Sequence, residues 1–175
     1  MLRLFCSLIL AMLVFDSVYA CDTPKKAIKA YLKYDFNGER LGNDVSVHID
    51  KLTANPYEPA WDVMTLIAGY EIQSIKQSKE KAVVTVLFKK SWEIARKFQP
   101  DSVKDEVVEI HLEKIKRCWK VGPPFYQPHV SPSTALKHYE KLLEKGKKEK
   151  LDKEYMDYTR SELESARQYT DATKF

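Results

Sequence analysis

Residues 70–121, YEIQSIKQSKEKAVVTVLFKKSWEIARKFQPDSVKDEVVEIHLEKIKRCWKV, hold nearly all of the β-branched, alternating sequence in the chain. Segment 70–75 alternates well enough for a strand, and the polar run 77–81 is its turn. Segment 82–88, AVVTVLF, is apolar on both faces. That predicts a central strand covered by a helix on one side and by a partner or a second layer on the other. It is expected to continue, with a bend, through Trp92 to Ala95. Segment 106–113 alternates cleanly, with Val108, Ile110 and Leu112 on one face and Val107, Glu109, His111 and Glu113 on the other. After a turn at 114–116, segment 117–121 returns as the last strand, and Gly122-Pro123-Pro124 ends it. Sequential strands with short turns form an antiparallel meander, and a preceding helix must lie across one face to bury its own apolar stripe.

That helix is expected after Thr23, a cap, and Pro24, which suits the first turn. Ala27, Ile28, Tyr31, Leu32 and Tyr34 recur at helical spacing, and Asp35-Phe36-Asn37-Gly38 ends the run as a turn. Residues 43–59 show no clear period and contain two X-Pro pairs, so they read as a long loop with room for one short helix or turn. Trp61, Val63, Met64, Leu66 and Ile67 would then cover the open end of the core. Beyond the sheet, Ser131-Pro132 opens a second amphipathic helix that runs to Gly146. A third, from Lys148 to about Tyr169, carries a thin stripe that docks on the body or meets another chain. The fold class is therefore α+β: an N-terminal helix on a curved antiparallel sheet, followed by C-terminal helices. The expected division is 1–20 a signal peptide, 21–130 the α+β domain and 131–175 a helical extension.

The first twenty residues have a positive start at Arg3, an apolar run over 4–15 and Val18-Tyr19-Ala20 before a cleavage point. This is the pattern of a signal peptide, too short for a bilayer that needs about 20 apolar residues. It predicts export, to a bacterial periplasm first, with secretion or a lipid anchor as alternatives. Of three cysteines, Cys6 leaves with the signal, and in an oxidising compartment Cys21 and Cys118 form a candidate disulfide. Residues 18–21 also look like a lipobox, which would lipidate Cys21 and put the protein on a membrane; a free thiol is the third reading. Twenty-nine basic and 25 acidic residues give a net charge of +4, interleaved as on solvated helix faces, so nucleic acid is not the expected partner.

The opening helix Pro24-Lys-Lys-Ala-Ile-Lys-Ala-Tyr31, a looped middle and a closing Trp119-Lys120-Val121 resemble the nuclear-transport-factor-2-like superfamily, a cystatin-like α+β cone, over residues 23–124. Residues 35–41, with Pro59-Ala60-Trp61-Asp62 and Gly69-Tyr70-Glu71, are also similar to exported bacterial proteins of that kind with no assigned activity. Enzymes of the superfamily, such as ketosteroid isomerases and dehydratases, use a carboxylate or histidine base and tyrosine donors inside the cone. The resemblance therefore points to His111, Asp35 and Asp62 as candidate bases and to Tyr31, Trp61, Tyr70 and Trp119 as candidate pocket walls.

The residues themselves read more plainly. His111 shares a strand face with Glu109 and Glu113, the pattern of an exposed or ion-paired sheet residue, and Asp35 beside Asn37-Gly38 reads as a turn or capping residue. The four histidines show no metal-ligand spacing, and neither a cofactor motif nor a nucleophile elbow is present. Two readings remain. One is a non-catalytic binding or interaction module that uses the cone or open sheet face for a small apolar ligand, a partner protein or, as a homodimer, its own copy. The other is a small lyase or isomerase with a general base in the cone.

Overall fold

The computed structural model describes residues 21–41, 49, 51–54, 61, 63–94 and 97–174. The order of elements is α1 (Pro24–Phe36), β1 (Thr65–Leu66), β2 (Gly69–Gln77), β3 (Lys81–Glu93), β4 (Lys104–Ile115), β5 (Cys118–Val121), β6 (His129–Val130), α2 (Pro132–Glu149) and α3 (Lys153–Thr173). The fold is α+β, with an open sheet and the two C-terminal helices after it.

Strand β3 is the axis. It pairs antiparallel with β4 on one side, and with β2 and then β1 on the other. The sheet is mixed, because β1 and β6 run parallel, Thr65 beside His129 and Leu66 beside Val130. That pair departs from the expected meander: two residues carry no alternation to read, and β6 lies past the Pro-rich end of β5.

Helix α1 starts where expected, with the Thr23 hydroxyl accepting from the Lys26 N–H and Pro24 in the first turn. Its apolar stripe, Ala27, Ile28, Tyr31, Leu32 and Tyr34, packs on the inner face of the sheet with Val84, Val86, Phe88, Val108, Ile110, Leu112, Trp119 and Val121. After the helix, Gly38 takes φ of +72° and sits against the Thr134 methyl of α2, so a side chain there meets both strain and a clash. The Cys21–Cys118 disulfide ties the start of α1 to β5, with Cα atoms 4.8 Å apart and 97 residues between the two in sequence. A loop of that length favours the folded state by about 4 to 5 kcal/mol on the chain-entropy argument. The bridged sulfur of Cys21 is not available to carry a lipid.

Among the described residues the other face is covered at one end. Leu66, Trp92, Ile94, Phe98 and Val130 form a second apolar cluster with Ala135 and Tyr139 of α2 and Leu163, Ala166 and Tyr169 of α3. The second layer expected over β3 is thus the chain's own helices at the β1–β6 end. At the opposite end Val83 and Leu87 stay half-buried and Val107 is exposed. Helix α2 runs three residues beyond Gly146, until Lys150 takes the left-handed conformation at φ 55°. Helix α3 starts at Lys153 instead of Lys148, because Asp152 caps it by accepting from the Tyr155 N–H at 2.8 Å. Among the described residues no helix is long and apolar enough to cross a membrane.

Candidate functional site

The inner face of β3 and β4 ends in polar residues. Alternation carries Val84, Val86 and Phe88 inward on β3 and Leu112, Ile110 and Val108 inward on β4, and the next inward position on β4 is Glu106, opposite Phe88. Past this point the register shifts: between the pairs Phe88–Glu106 and Ser91–Lys104, two residues on β3, Lys89 and Lys90, stand opposite one on β4, Asp105. The bulge centres on Lys90, whose φ is +54°. It re-aims the strand, so that Ser91 takes the inward side that strict alternation would give to Lys90. The Ser91 hydroxyl then donates to Glu106 Oε2 at 2.8 Å.

The bulge is held from three directions. The Lys90 N–H donates to Asp105 Oδ1 at 2.9 Å, the Lys90 carbonyl accepts from the Tyr169 hydroxyl at 2.5 Å, and the Lys90 ammonium donates to the Thr173 carbonyl at 3.0 Å. The last two partners lie on α3, so the C-terminal helix fixes the aim of Ser91.

His129 closes the site from β6. Its ring stacks on Phe88 with centroids 4.0 Å apart and planes at 12°. Its Nε2 lies 3.9 Å from Glu106 Oε2 and its Nδ1 4.0 Å from Asp35 Oδ2, placing the imidazole between two carboxylates. Asp35 also accepts from the His129 backbone N–H at 3.0 Å and from Arg40 Nη1 at 3.0 Å. Arg40 in turn donates to the Tyr126 carbonyl at 2.6 Å and lies over the Tyr31 ring. The result is a line of alternating groups, Arg40, Asp35, His129, Glu106 and Ser91, running from the core to the surface. His129 and then Ser91 hold the Glu106 carboxyl below its ordinary value, outweighing the partial burial that raises it. Burial pushes the Asp35 carboxyl up, and Arg40 and His129 pull it back.

Two spaces adjoin this line. Beside Tyr31, Asp35, Phe88 and His129 the void is about 10 Å³. At the outer end, a cleft of about 500 Å³ opens at the mouth of the inner face, with Ser91, Glu106, Lys104 and Gln127 in its walls. Lys97, Gln99 and Ser102, from the β3–β4 connection, form its rim with Thr65, Trp92 and Glu93. The Gln127 amide donates to Thr65 Oγ1 at 2.8 Å and to Glu93 Oε2 at 3.1 Å, which fixes that wall.

Of the residues singled out from the sequence, Asp35 belongs to this line and Tyr31 lines the small void beside it, whereas the other described ones lie away from the line. Asp35 is 2% exposed and ion-paired, which corrects its reading as a turn or cap: the helix end is capped by Asn37 instead. Tyr31 and Trp119 are core residues of the α1 cluster. Tyr70 is half-buried with its ring edge-on to Phe36, and burial raises its hydroxyl. Trp61 is half-buried, with an indole N–H that has no hydrogen-bond partner among the described residues. His111 is exposed on the outer face, opposite Val83. Asp62 lies outside the described residues. His129, Glu106, Arg40 and Ser91 were not singled out: their partners are distant in sequence, and no short motif links them. The bulge is equally silent, since a lysine and not a glycine takes its positive φ. Among the described residues no three His, Cys, Asp or Glu side chains gather as a metal site.

The molecule is thus an open-sheet α+β protein with a charged line leading from its core to a polar cleft. No protein-family model, curated protein or solved structure matches the chain.

Proposed function

We propose that this protein is an exported, non-catalytic binding module that takes a small polar ligand in the cleft at the mouth of its inner face. The observation that carries the reading is the contrast in space: about 10 Å³ beside Asp35 and His129, against about 500 Å³ next to Ser91 and Glu106. A void near 10 Å³ holds one water at most, whereas small-molecule sites begin at about 300 Å³. The lining of hydroxyls, amides and charges favours a polar ligand over the apolar one expected from the sequence. A lyase or isomerase in the cone has less support, because such a base works best when poised near neutral pH. Glu106 is held on the acid side of its ordinary value, and Asp35 is committed to Arg40.

Export is supported by the signal-like residues 1–20 and by a disulfide, a bond that persists in oxidising compartments such as a bacterial periplasm. The mass of the native, non-reduced protein tests it. The expected chain begins at Cys21 and weighs two hydrogens less than its dithiol; added diacylglycerol would replace this reading with a lipid anchor. For the cleft, backbone amide NMR with separate sugar, amino-acid, amine and carboxylate probes is expected to move Ser91, Glu106 and Gln127. Absence of a shift with any of these classes at millimolar concentration would overturn the assignment.

A further inference from the structure

We infer that the ligand of the mouth cleft is a zwitterion of the amino-acid or short-peptide type, its ammonium on Glu106 and its carboxylate against Lys97 and Lys104. The inference rests on the binding reading above and names the ligand class. It follows from the charges in the cleft and from which of them are already engaged.

The lining carries two carboxylates, Glu93 and Glu106, and two ammonium groups, Lys97 and Lys104. Its remaining polar groups are hydroxyls and amides, so the cleft has no net charge but strong local fields of both signs. A simple anion that reaches the lysines also meets the carboxylates, and a simple amine meets the reverse. A molecule that carries both charges a few ångströms apart satisfies both, and complementarity of this kind sets specificity.

The four groups are not equivalent. Glu93 already accepts from Gln127. The Oε2 of Glu106 accepts from Ser91 at 2.8 Å and lies 3.9 Å from His129 Nε2, which leaves Oε1 for a ligand. Its carboxyl is kept ionised by those neighbours, so it presents a full negative charge at neutral pH. Lys97 and Lys104 are exposed, and the Lys104 charge helps to keep Glu106 ionised. The anionic anchor is therefore held in place, by the pinned bulge and by His129, while the cationic side consists of two exposed, long side chains. Rigid recognition of the ammonium and adaptable recognition of the carboxylate accommodate chains of slightly different length.

Calorimetric titration of the oxidised protein with L-alanyl-L-alanine, its N-acetyl derivative and its C-terminal amide tests this. N-acetylation and Glu106→Gln are each expected to weaken binding at least tenfold, and together no more than either alone. The amide and the paired change Lys97→Gln/Lys104→Gln should behave likewise, with a smaller, severalfold effect. If the acetylated peptide binds within twofold of the free one, the inference is wrong. If a neutral sugar shifts the cleft amides and none of the zwitterions does, the inference fails while the binding reading stands. If no probe of any class shifts them, both fail. Should Glu106→Gln not fold, the acetylated peptide on the unaltered protein decides alone.

Discussion

Asp35 and Glu162 are carboxylates with nearly the same low exposure, 2% and 5%, one beside each of the two apolar clusters. Asp35 receives an arginine, a backbone N–H and the edge of an imidazole. Glu162, between the C-terminal helices, has one oxygen with no hydrogen-bond partner among the described residues. Burial raises both carboxyls. Arg40 and His129 oppose that rise at Asp35, whereas at Glu162 only the Tyr139 hydroxyl does, and its pKa stands at about 7. Low exposure alone does not decide what a buried charge does to a fold; its partners also do.

Asp35→Ala takes from Arg40, itself 6% exposed, the carboxylate it is ion-paired with at 3.0 Å. Loss of one partner from such a pair costs about 3 to 5 kcal/mol. Urea unfolding should show it as a lower midpoint at unchanged slope. Asp35→Ala combined with Arg40→Met should recover much of the loss; a single variant within about 1 kcal/mol of the parent would mean that the ion pair is not what holds this end of the core.

Glu162 should respond in the opposite sense. With a folded-state pKa near 7 against an unfolded value of about 4.3, its favourable contribution is fully present below the unfolded value. It is lost as the pH rises through about 7, where the folded state must ionise a poorly solvated carboxyl. Glu162→Gln removes that charge and should raise stability above pH 7, by on the order of 2 kcal/mol, with little gain at pH 4. Stability curves of parent and variant that run parallel from pH 4 to 8 would show that Glu162 is better partnered than its geometry implies.

Tyr169 joins the two regions. It packs in the helical cluster and donates to the Lys90 carbonyl at the bulge that aims Ser91 at Glu106. Tyr169→Phe keeps the ring and removes the donor, at a cost of about 1 to 2 kcal/mol. The sharper readout is local: amide shifts should extend through Lys90 and Ser91 to Glu106. Changes confined to the helices would separate the two clusters as independent units.

These regions were not equally legible in the sequence. Helix α1, the length of β3 and the inward row Val108, Ile110 and Leu112 follow from period and capping, both local properties. The polar line does not. Asp35 sits beside Asn37-Gly38 and so reads as part of a turn, and the contact that redefines it comes from His129, 94 residues away in sequence. Arg40 and Glu106 look like ordinary surface charges until the fold buries one and half-buries the other. Glu162 has the same disguise in a charged helix. Burial of a charge is a tertiary fact, and single-sequence patterns report mostly which face is apolar.

His111 is a titratable residue on the same strand as Glu106, but it faces outward, exposed, opposite Val83. Its carbonyl accepts from the Gly122 N–H at 2.9 Å, a bond that survives any side-chain change. His111→Ala removes a solvated ring and a little strand preference, so the cost should stay within about 0.5 kcal/mol. Ligand affinity at the mouth cleft should be unaltered, because that cleft lies on the opposite face. A growth or binding defect in His111→Ala with an unchanged unfolding midpoint would show that the outer face carries function of its own. Titratable residues would then have to be weighed on both sides of the sheet.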